Sequence, residues 1–62
     1  MKQNNLIDNL IRVEELLKTK EWYTRTRIKE TLHIDYYSVM IILSYLLKKN
    51  IIERKTNKYR LK

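Results

Sequence analysis

The sequence predicts an α+β fold that is mostly α, with three helices followed by a short C-terminal β-hairpin. Before residue 50, apolar residues recur at intervals of three and four, which is the spacing of one helical face. After residue 50, apolar and basic residues alternate on both sides of a polar turn, a pattern typical of paired strands. A chain of 62 residues is long enough for only one hydrophobic core, so we expect a single domain over residues 1–62.

Composition narrows the class of protein. No cysteine is present, which excludes a disulfide framework and a thiolate metal site, and a hydrophobic content of 44% favours a packed core. The longest apolar run, Val39 to Leu43, is too short to span a bilayer, and the polar segment Met1 to Asn5 does not open a signal peptide. We therefore expect a soluble, cytoplasmic protein that has no membrane partner.

The first helix is predicted from an N-cap at Asn5 to about Lys18. Its inward face is formed at helical spacing by Leu6, Leu10, Val13 and Leu17. That stripe is widened by Ile7, Ile11 and Leu16. On the wetter side, Glu14 and Lys18 lie four residues apart and are expected to pair weakly.

Trp22, Tyr23 and Thr24 predict a short strand, since aromatic and β-branched residues favour extended backbone. One of the two rings should enter the core, and we expect this ring to be Trp22. The other ring is then a candidate for an exposed stacking platform.

Helix 2 is predicted from an N-cap at Thr26 to about Leu32, with Ile28 and Leu32 four residues apart and facing inward. Arg25 and Arg27 flank its N-terminus, where free backbone amides, the helix dipole and positive charge all favour an anion. This end of the helix is therefore a candidate phosphate contact. The alternative is that these side chains are merely solvated.

A three-residue break at His33, Ile34 and Asp35 separates helix 2 from helix 3. His33 lies where the chain must turn sharply, and histidine is among the few residues besides glycine that tolerate positive φ. Asp35 is the predicted N-cap of helix 3, which runs from Tyr36 to Lys49. The inward face of helix 3 consists of Val39, Ile42, Leu43 and Leu46. Its outward face consists of Tyr36, Tyr37, Met40, Ile41, Ser44 and Leu47.

Asn50 is expected to end helix 3 in the left-handed conformation, for which asparagine is the best substitute for glycine. The hairpin strands are predicted over Ile51 to Glu53 and Tyr59 to Leu61. A polar turn from Arg54 to Lys58, with its tip at residues 56–57, joins them.

The net charge of +7 is concentrated at one end of the chain. Lys48 to Lys62 holds seven basic residues and one acidic residue, a local charge of +6, whereas Met1 to Leu47 holds seven basic and six acidic residues. A basic cluster on a small domain most often binds a polyanion, and nucleic acid is the commonest one. The alternative is a solvated tail that only keeps the protein soluble.

One set of positions carries a family pattern: Thr24, Thr26, Ile28, Leu32, Ile34, Val39, Leu43, Leu46, Lys48 to Ile52, Glu53, Arg54, Lys58, Tyr59 and Arg60. With these residues the chain resembles the winged helix-turn-helix family, and the resemblance covers nearly the whole chain. It implies that helix 3 inserts in the major groove and that the start of helix 2 contacts phosphates. It also implies that the basic hairpin is a wing whose tip reaches the DNA backbone or the minor groove.

The resemblance assigns three groups of DNA-binding residues. The residues that would face bases are Tyr36, Tyr37, Ser38, Met40, Ile41 and Ser44. The residues that would hold phosphates are Arg25, Thr26 and Arg27. The residues that would form the wing contact are Arg54, Lys55, Asn57, Lys58 and Arg60.

Four residues depart from the family pattern. Lys29 stands where a small residue usually lets helices 2 and 3 approach closely, and Ile41 stands where DNA-binding members commonly have arginine. Met40 and Leu47 replace polar groups. Together with Tyr37 they would form an exposed apolar patch, and such patches usually mark a protein contact.

Two interpretations follow. In the first, the protein binds double-stranded DNA as a small transcription regulator, of the kind found in archaea, their viruses and plasmids, and reads thymine methyl groups and DNA shape. In the second, helix 3 is buried against another copy or another protein through Tyr37, Met40, Ile41 and Leu47, and the domain is an interaction module in a replication, transcription or ribonucleoprotein complex. We favour the first, because groove binding requires a basic wing and a protein adaptor does not.

We expect neither an enzyme nor a metal or cofactor site. The single histidine, His33, has no Cys, Ser or carboxylate at a spacing that suggests a triad, and one histidine with scattered acids does not assemble a ligand set. We also expect a homodimer, since DNA-binding domains of this size commonly pair to read two half-sites. Ile7 and Ile11 of helix 1 are the candidates for the dimer contact.

Overall fold

The structure is a computed structural model that describes residues 5–62. Over this range the elements are α1 (Leu6–Leu17), β1 (Tyr23–Thr24), α2 (Arg25–Leu32), α3 (Tyr36–Lys48), β2 (Ile52–Lys55) and β3 (Lys58–Leu61). The prediction of a mostly helical α+β fold is confirmed, with three helices and an antiparallel sheet of three strands. The prediction that the N-terminal segment does not open a signal peptide concerns residues 1–5, of which residues 1–4 lie outside the described residues.

Helix α1 begins where predicted, because the Asn5 side chain accepts hydrogen bonds from two backbone amides of the first turn, at 2.8 and 3.3 Å. The predicted inward stripe is buried only in its C-terminal half, at Val13 and Leu17. Leu6 is 48% exposed, in contrast to the prediction, because at this end of α1 it lines an open groove against α3 and is not enclosed by the core. The stripe residues that lie exposed are Leu6, Ile7 and Ile11.

The predicted pair between Glu14 and Lys18 is wrong. The Lys18 ammonium group lies 3.0 Å from the carboxylate of Glu15 instead. The helix tightens at its end, where the Lys18 amide bonds the carbonyl of Glu15 at 3.3 Å, so the residue three positions back is the nearer one. Both side chains are largely exposed, so the pair contributes little to stability.

The prediction that Trp22 enters the core is also wrong. Tyr23 is only 4% exposed and belongs to the core, whereas Trp22 is half-buried. Successive side chains of a strand point to opposite faces, and Tyr23 pairs with Tyr59 on the face that meets the helices. Trp22 therefore lies on the outer face of the sheet.

Helix α2 begins two residues earlier than predicted, and its N-cap is Thr24 in place of Thr26. The Thr24 hydroxyl accepts a hydrogen bond from the Arg27 amide at 3.1 Å. Thr24 also ends strand β1, where pairing with Lys58 holds its backbone extended, as an N-cap requires. Thr26 lies in the first turn of the helix and is exposed.

The turn between α2 and α3 is confirmed in detail. His33 has φ 57° and ψ 45°, the left-handed conformation expected at this position. Asp35 caps α3, because its carboxylate accepts the Ser38 amide at 2.9 Å and the Ser38 hydroxyl at 2.8 Å. These bonds lower the pKa of Asp35 below its ordinary value of 3.8. Arg12 of α1 donates to the carbonyl of Leu32 and so ties the end of α2 to α1.

Helix α3 supplies the centre of the core. Its predicted inward residues, Val39, Ile42, Leu43 and Leu46, are all buried. Leu47, predicted to face outward, is half-buried against the core, because it follows Leu43 by one turn along the edge of the buried face. The helix ends at Lys48, and Asn50 adopts the expected left-handed conformation with φ 63°. The Ile51 amide then bonds the carbonyl of Leu46 at 3.0 Å.

The hairpin, β2 with β3, is longer than predicted, and its turn is shorter. Strand β2 starts at Ile52, one residue later than expected, and continues to Lys55, which pairs with Lys58. The turn is therefore reduced to two residues, and Thr56 supplies the left-handed residue that a tight hairpin needs, with φ 60°. The Arg54 guanidinium donates to the carbonyl of Thr56 at 3.0 Å and holds this turn. Strand β3 lies in the middle of the sheet, between β1 and β2.

Candidate nucleic-acid interface

The exposed face of α3 is the first part of the candidate interface. Most of the residues predicted to face bases lie exposed on it, namely Tyr36, Tyr37, Met40, Ile41 and Ser44. Tyr37 is 70% exposed, more than Tyr36, Met40 or Ile41. Ser38 differs from them, because it is half-buried and its hydroxyl and amide are both bonded to Asp35. Ser38 therefore completes the helix cap and is not available in the same way as its neighbours.

The two flanks of this face meet different elements. On one flank, Tyr36 lies beside the start of α2, with the Arg25 guanidinium 5.9 Å from the centre of its ring. On the other flank, Ile41 and Tyr45 line an apolar groove together with residues of α1, the full lining being Leu6, Ile7, Leu10, Ile41, Ile42 and Tyr45. Ile41 thus belongs to two surfaces, the outward face of α3 and the groove against α1.

The N-terminus of α2 is the second part of the interface. The structure brings its residues beside the start of α3, as the contact between Arg25 and Tyr36 shows. The Arg27 guanidinium lies 4.5 Å from the centre of the Tyr23 ring and 4.0 Å from the carboxylate of Glu21. Both arginines are therefore oriented by aromatic rings, with interactions worth about 0.5–1 kcal/mol at exposed sites.

The hairpin is the third part. Arg54, Lys55, Asn57 and Lys58 are exposed around its tip, as the resemblance implies for a nucleic-acid contact. Arg60 is not exposed in this way. Two nitrogens of its guanidinium group donate hydrogen bonds to the same carboxylate oxygen of Glu53, at 2.9 and 2.7 Å. The same guanidinium lies 4.4 Å from the centre of the Trp22 ring. Arg60 is thus half-buried and occupied within the chain.

Two lysines face each other at the tip of the hairpin. Lys55 and Lys58 are directly opposite in the register of β2 and β3, so their side chains share one face. Within residues 5–62 neither lysine forms a salt bridge. Like charges at this position are destabilising, and a bound anion would relieve the repulsion.

The sequence interpretation missed three residues of this surface. Ser44 follows Tyr37 by seven residues and Lys48 follows Ser44 by four, so Lys48 continues their line along α3, and this spacing was present in the sequence. Tyr45 is exposed, with the Lys49 ammonium group 5.8 Å from the centre of its ring. Trp22 joins the hairpin through the register of β1 with β3, which the sequence pattern does not reveal.

The remaining features bear on other chemistries. His33 is exposed beside a shallow concavity between α2 and α3. Over the described range, 5–62, no three His, Cys, Asp or Glu side chains come together in a way that would hold a metal ion. None of the helices in that range is both long enough and apolar enough to cross a membrane.

Comparisons with family models, with curated proteins and with solved structures find no match to this chain.

Proposed function

We propose that this chain is a winged helix-turn-helix domain that binds double-stranded DNA and acts as a small transcription regulator. The observation that carries the proposal is the position of the positive charge. The segment from Lys48 to Lys62, with a local charge of +6, forms the end of α3 and the hairpin, beside an exposed helical face. A helix of this size fits the major groove, and a basic hairpin next to it reaches the adjoining phosphates.

In this proposal α3 enters the major groove with Tyr37, Met40, Ile41 and Ser44 towards the bases. These side chains offer few hydrogen bonds, so specificity comes from apolar contact with thymine methyl groups and from DNA shape. Lys48, at the end of the same line of residues, reaches a phosphate. Because the contacts to base edges are weak, most of the affinity is electrostatic and falls steeply with salt.

The phosphate contacts come from both sides of α3. Arg25, Thr26 and Arg27 hold one strand at the start of α2, where the backbone amides and the helix dipole add to the charge. Arg54, Lys55, Asn57 and Lys58 form the wing contact on the backbone or in the minor groove. Arg60 contributes indirectly, by fixing Trp22 and the outer face of the sheet.

The experiment is a binding assay with a mixed-sequence duplex, using a variant that places an acid in the centre of the α3 face. Ser44→Glu should weaken binding at least about tenfold, because a carboxylate would face the phosphates at close range. Thr31→Glu is the matched control, since Thr31 is exposed on α2 and lies outside the proposed interface. Equal binding by the two variants would refute the proposed orientation of α3, and absence of duplex binding by the wild type at low salt would refute the function.

We further propose that the protein is a homodimer that pairs through α1. Ile7 is 67% exposed and lines the apolar groove between α1 and α3, and Ile11, one turn further along α1, is 50% exposed. Exposed aliphatic groups in a row along a helix favour burial against a partner. Sedimentation of the pure protein at high concentration should give a dimer, and Ile7→Glu should give a monomer. A monomeric wild type would refute this part of the proposal.

A second candidate function is a protein-interaction module, and the exposure of Tyr37, Met40 and Ile41 favours it. These residues form an apolar surface on the face that would otherwise meet DNA. The two functions differ in their response to salt. DNA binding weakens as salt rises, whereas an apolar protein contact persists.

A further inference from the structure

The outer face of the sheet holds a concavity that neither α3 nor the start of α2 touches. Its lining consists of Trp22, Lys55, Thr56, Asn57 and Lys58. We propose that this concavity binds unpaired nucleotides of a nucleic acid, with a base against the Trp22 indole and the adjacent phosphates on the two lysines. The inference rests on the proposed function only in that both take nucleic acid as the ligand.

The strand register creates this arrangement. Thr24 pairs with Lys58, and Lys58 in turn pairs with Lys55, so these side chains share the outer face. Trp22 lies two residues before Thr24 along the same edge and therefore points to that face as well. An aromatic ring and two cations are thus brought together, although they are more than thirty residues apart in the chain.

The indole ring is fixed before any ligand arrives. Arg60 stacks over it, with the guanidinium carbon 4.4 Å from the ring centre. Glu53 holds Arg60 in turn through two hydrogen bonds to one carboxylate oxygen, at 2.9 and 2.7 Å. A platform that is already ordered binds without the entropy cost of immobilising a free side chain.

The chemistry of the lining selects the ligand. An aromatic wall beside positive charge is the combination by which proteins bind single-stranded nucleic acid, because any base can stack and any phosphate can pair. The bases of a duplex are stacked on each other and cannot reach the ring. The repulsion between Lys55 and Lys58 is relieved by a phosphate, and the amide of Asn57 can bond a base edge.

Trp22 is the only tryptophan of the chain, so its fluorescence reports on this concavity alone. An oligothymidylate of about 12 nucleotides should quench that fluorescence on binding. Trp22→Leu should weaken binding of the labelled oligothymidylate at least about fivefold, while Trp22→Phe retains most of the affinity because it keeps an aromatic face. Equal loss in both folded variants would contradict the stacking role, since Trp22→Phe keeps the aromatic face.

A second pair of variants keeps the test decisive if Trp22→Leu does not fold. Lys55→Gln with Lys58→Gln changes two exposed side chains and should also weaken oligothymidylate binding at least about fivefold. Lys18→Gln with Lys20→Gln is the matched control, with the same change in charge at exposed positions outside the concavity. Equal effects of the two double variants would overturn the inference.

A blunt duplex of about the same length separates this inference from the proposed function. Duplex binding without oligothymidylate binding overturns the inference and leaves the function in place. Oligothymidylate binding that depends on Trp22, without duplex binding, supports the inference and overturns the function. Failure of both ligands to bind overturns both.

Discussion

The guanidinium group of Arg60 lies between Trp22 and Glu53, 4.4 Å from the indole centre and 2.7 Å from a carboxylate oxygen. Arg60 lies on β3, the middle strand of the sheet. It contacts Glu53 of β2 on one side and Trp22, the residue directly before β1, on the other. The contact joins a cation–π interaction to an ion pair at a half-buried site. It therefore orders the outer face of the sheet as well as stabilising it.

Arg60→Ala should lower the free energy of unfolding by about 1 kcal/mol, because the ion pair is about a third exposed and each interaction is modest. Urea denaturation followed by circular dichroism measures this change. Lys18→Ala removes the more exposed pair with Glu15 and should have an effect close to zero. If Lys18→Ala lowered the free energy of unfolding as much as Arg60→Ala, the stabilising role of the contacts of Arg60 with Trp22 and Glu53 would be contradicted.

Thr24→Ala should destabilise the protein by about 1 kcal/mol, since the Thr24 hydroxyl accepts a hydrogen bond from the Arg27 backbone amide in the first turn of α2. Thr26→Ala is the matched control, because Thr26 is exposed in the first turn and should change stability little. Thermal unfolding of both variants compares them directly. A larger effect at Thr26 would indicate that Thr26, as the sequence pattern predicted, is the N-cap, and would contradict the role of Thr24.

The difference between Thr24 and Thr26 shows why sequence patterns place elements better than they place caps. The periodicity that predicted α3 also located its buried face, at Val39, Leu43 and Leu46, because burial repeats with every turn. An N-cap depends on one backbone conformation, and that of Thr24 is set by pairing with Lys58, which is distant in sequence.

The same limit applies to the candidate site. The basic residues of the hairpin could be predicted from local charge alone. Trp22 could not be assigned to the outer face, because its orientation depends on the register of β1 with β3. The pairing of Arg60 with Glu53 likewise depends on the register of β2 with β3, so a residue predicted to bind DNA is occupied within the chain.

Asp35 gives the stability a defined dependence on pH. Its pKa is lowered in the folded chain by the bonds from Ser38, so the cap stabilises the fold fully above the ordinary value of 3.8. That contribution is lost as the pH falls through the lower pKa of the folded state. In denaturation series from about pH 6 to about pH 2, the stability difference between wild type and Asp35→Asn should therefore shrink.

Ser38→Ala provides the control for this pH effect. It removes the hydrogen bond from the Ser38 hydroxyl to the Asp35 carboxylate and keeps the hydrogen bond from the backbone amide of residue 38. Its dependence on pH should lie between those of the wild type and Asp35→Asn. If the difference between wild type and Asp35→Asn stayed constant over the whole range, the carboxylate would not act as the charged cap described above.

The salt dependence of duplex binding tests the central proposal most directly. The logarithm of the binding constant should fall linearly with the logarithm of salt concentration, and Lys55→Ala with Lys58→Ala should make the slope shallower by about two units, one for each lost phosphate contact. Lys18→Ala with Lys20→Ala should leave the slope unchanged. An unchanged slope in the hairpin variant, or no duplex binding at low salt, would contradict the proposal that this protein holds DNA with its hairpin.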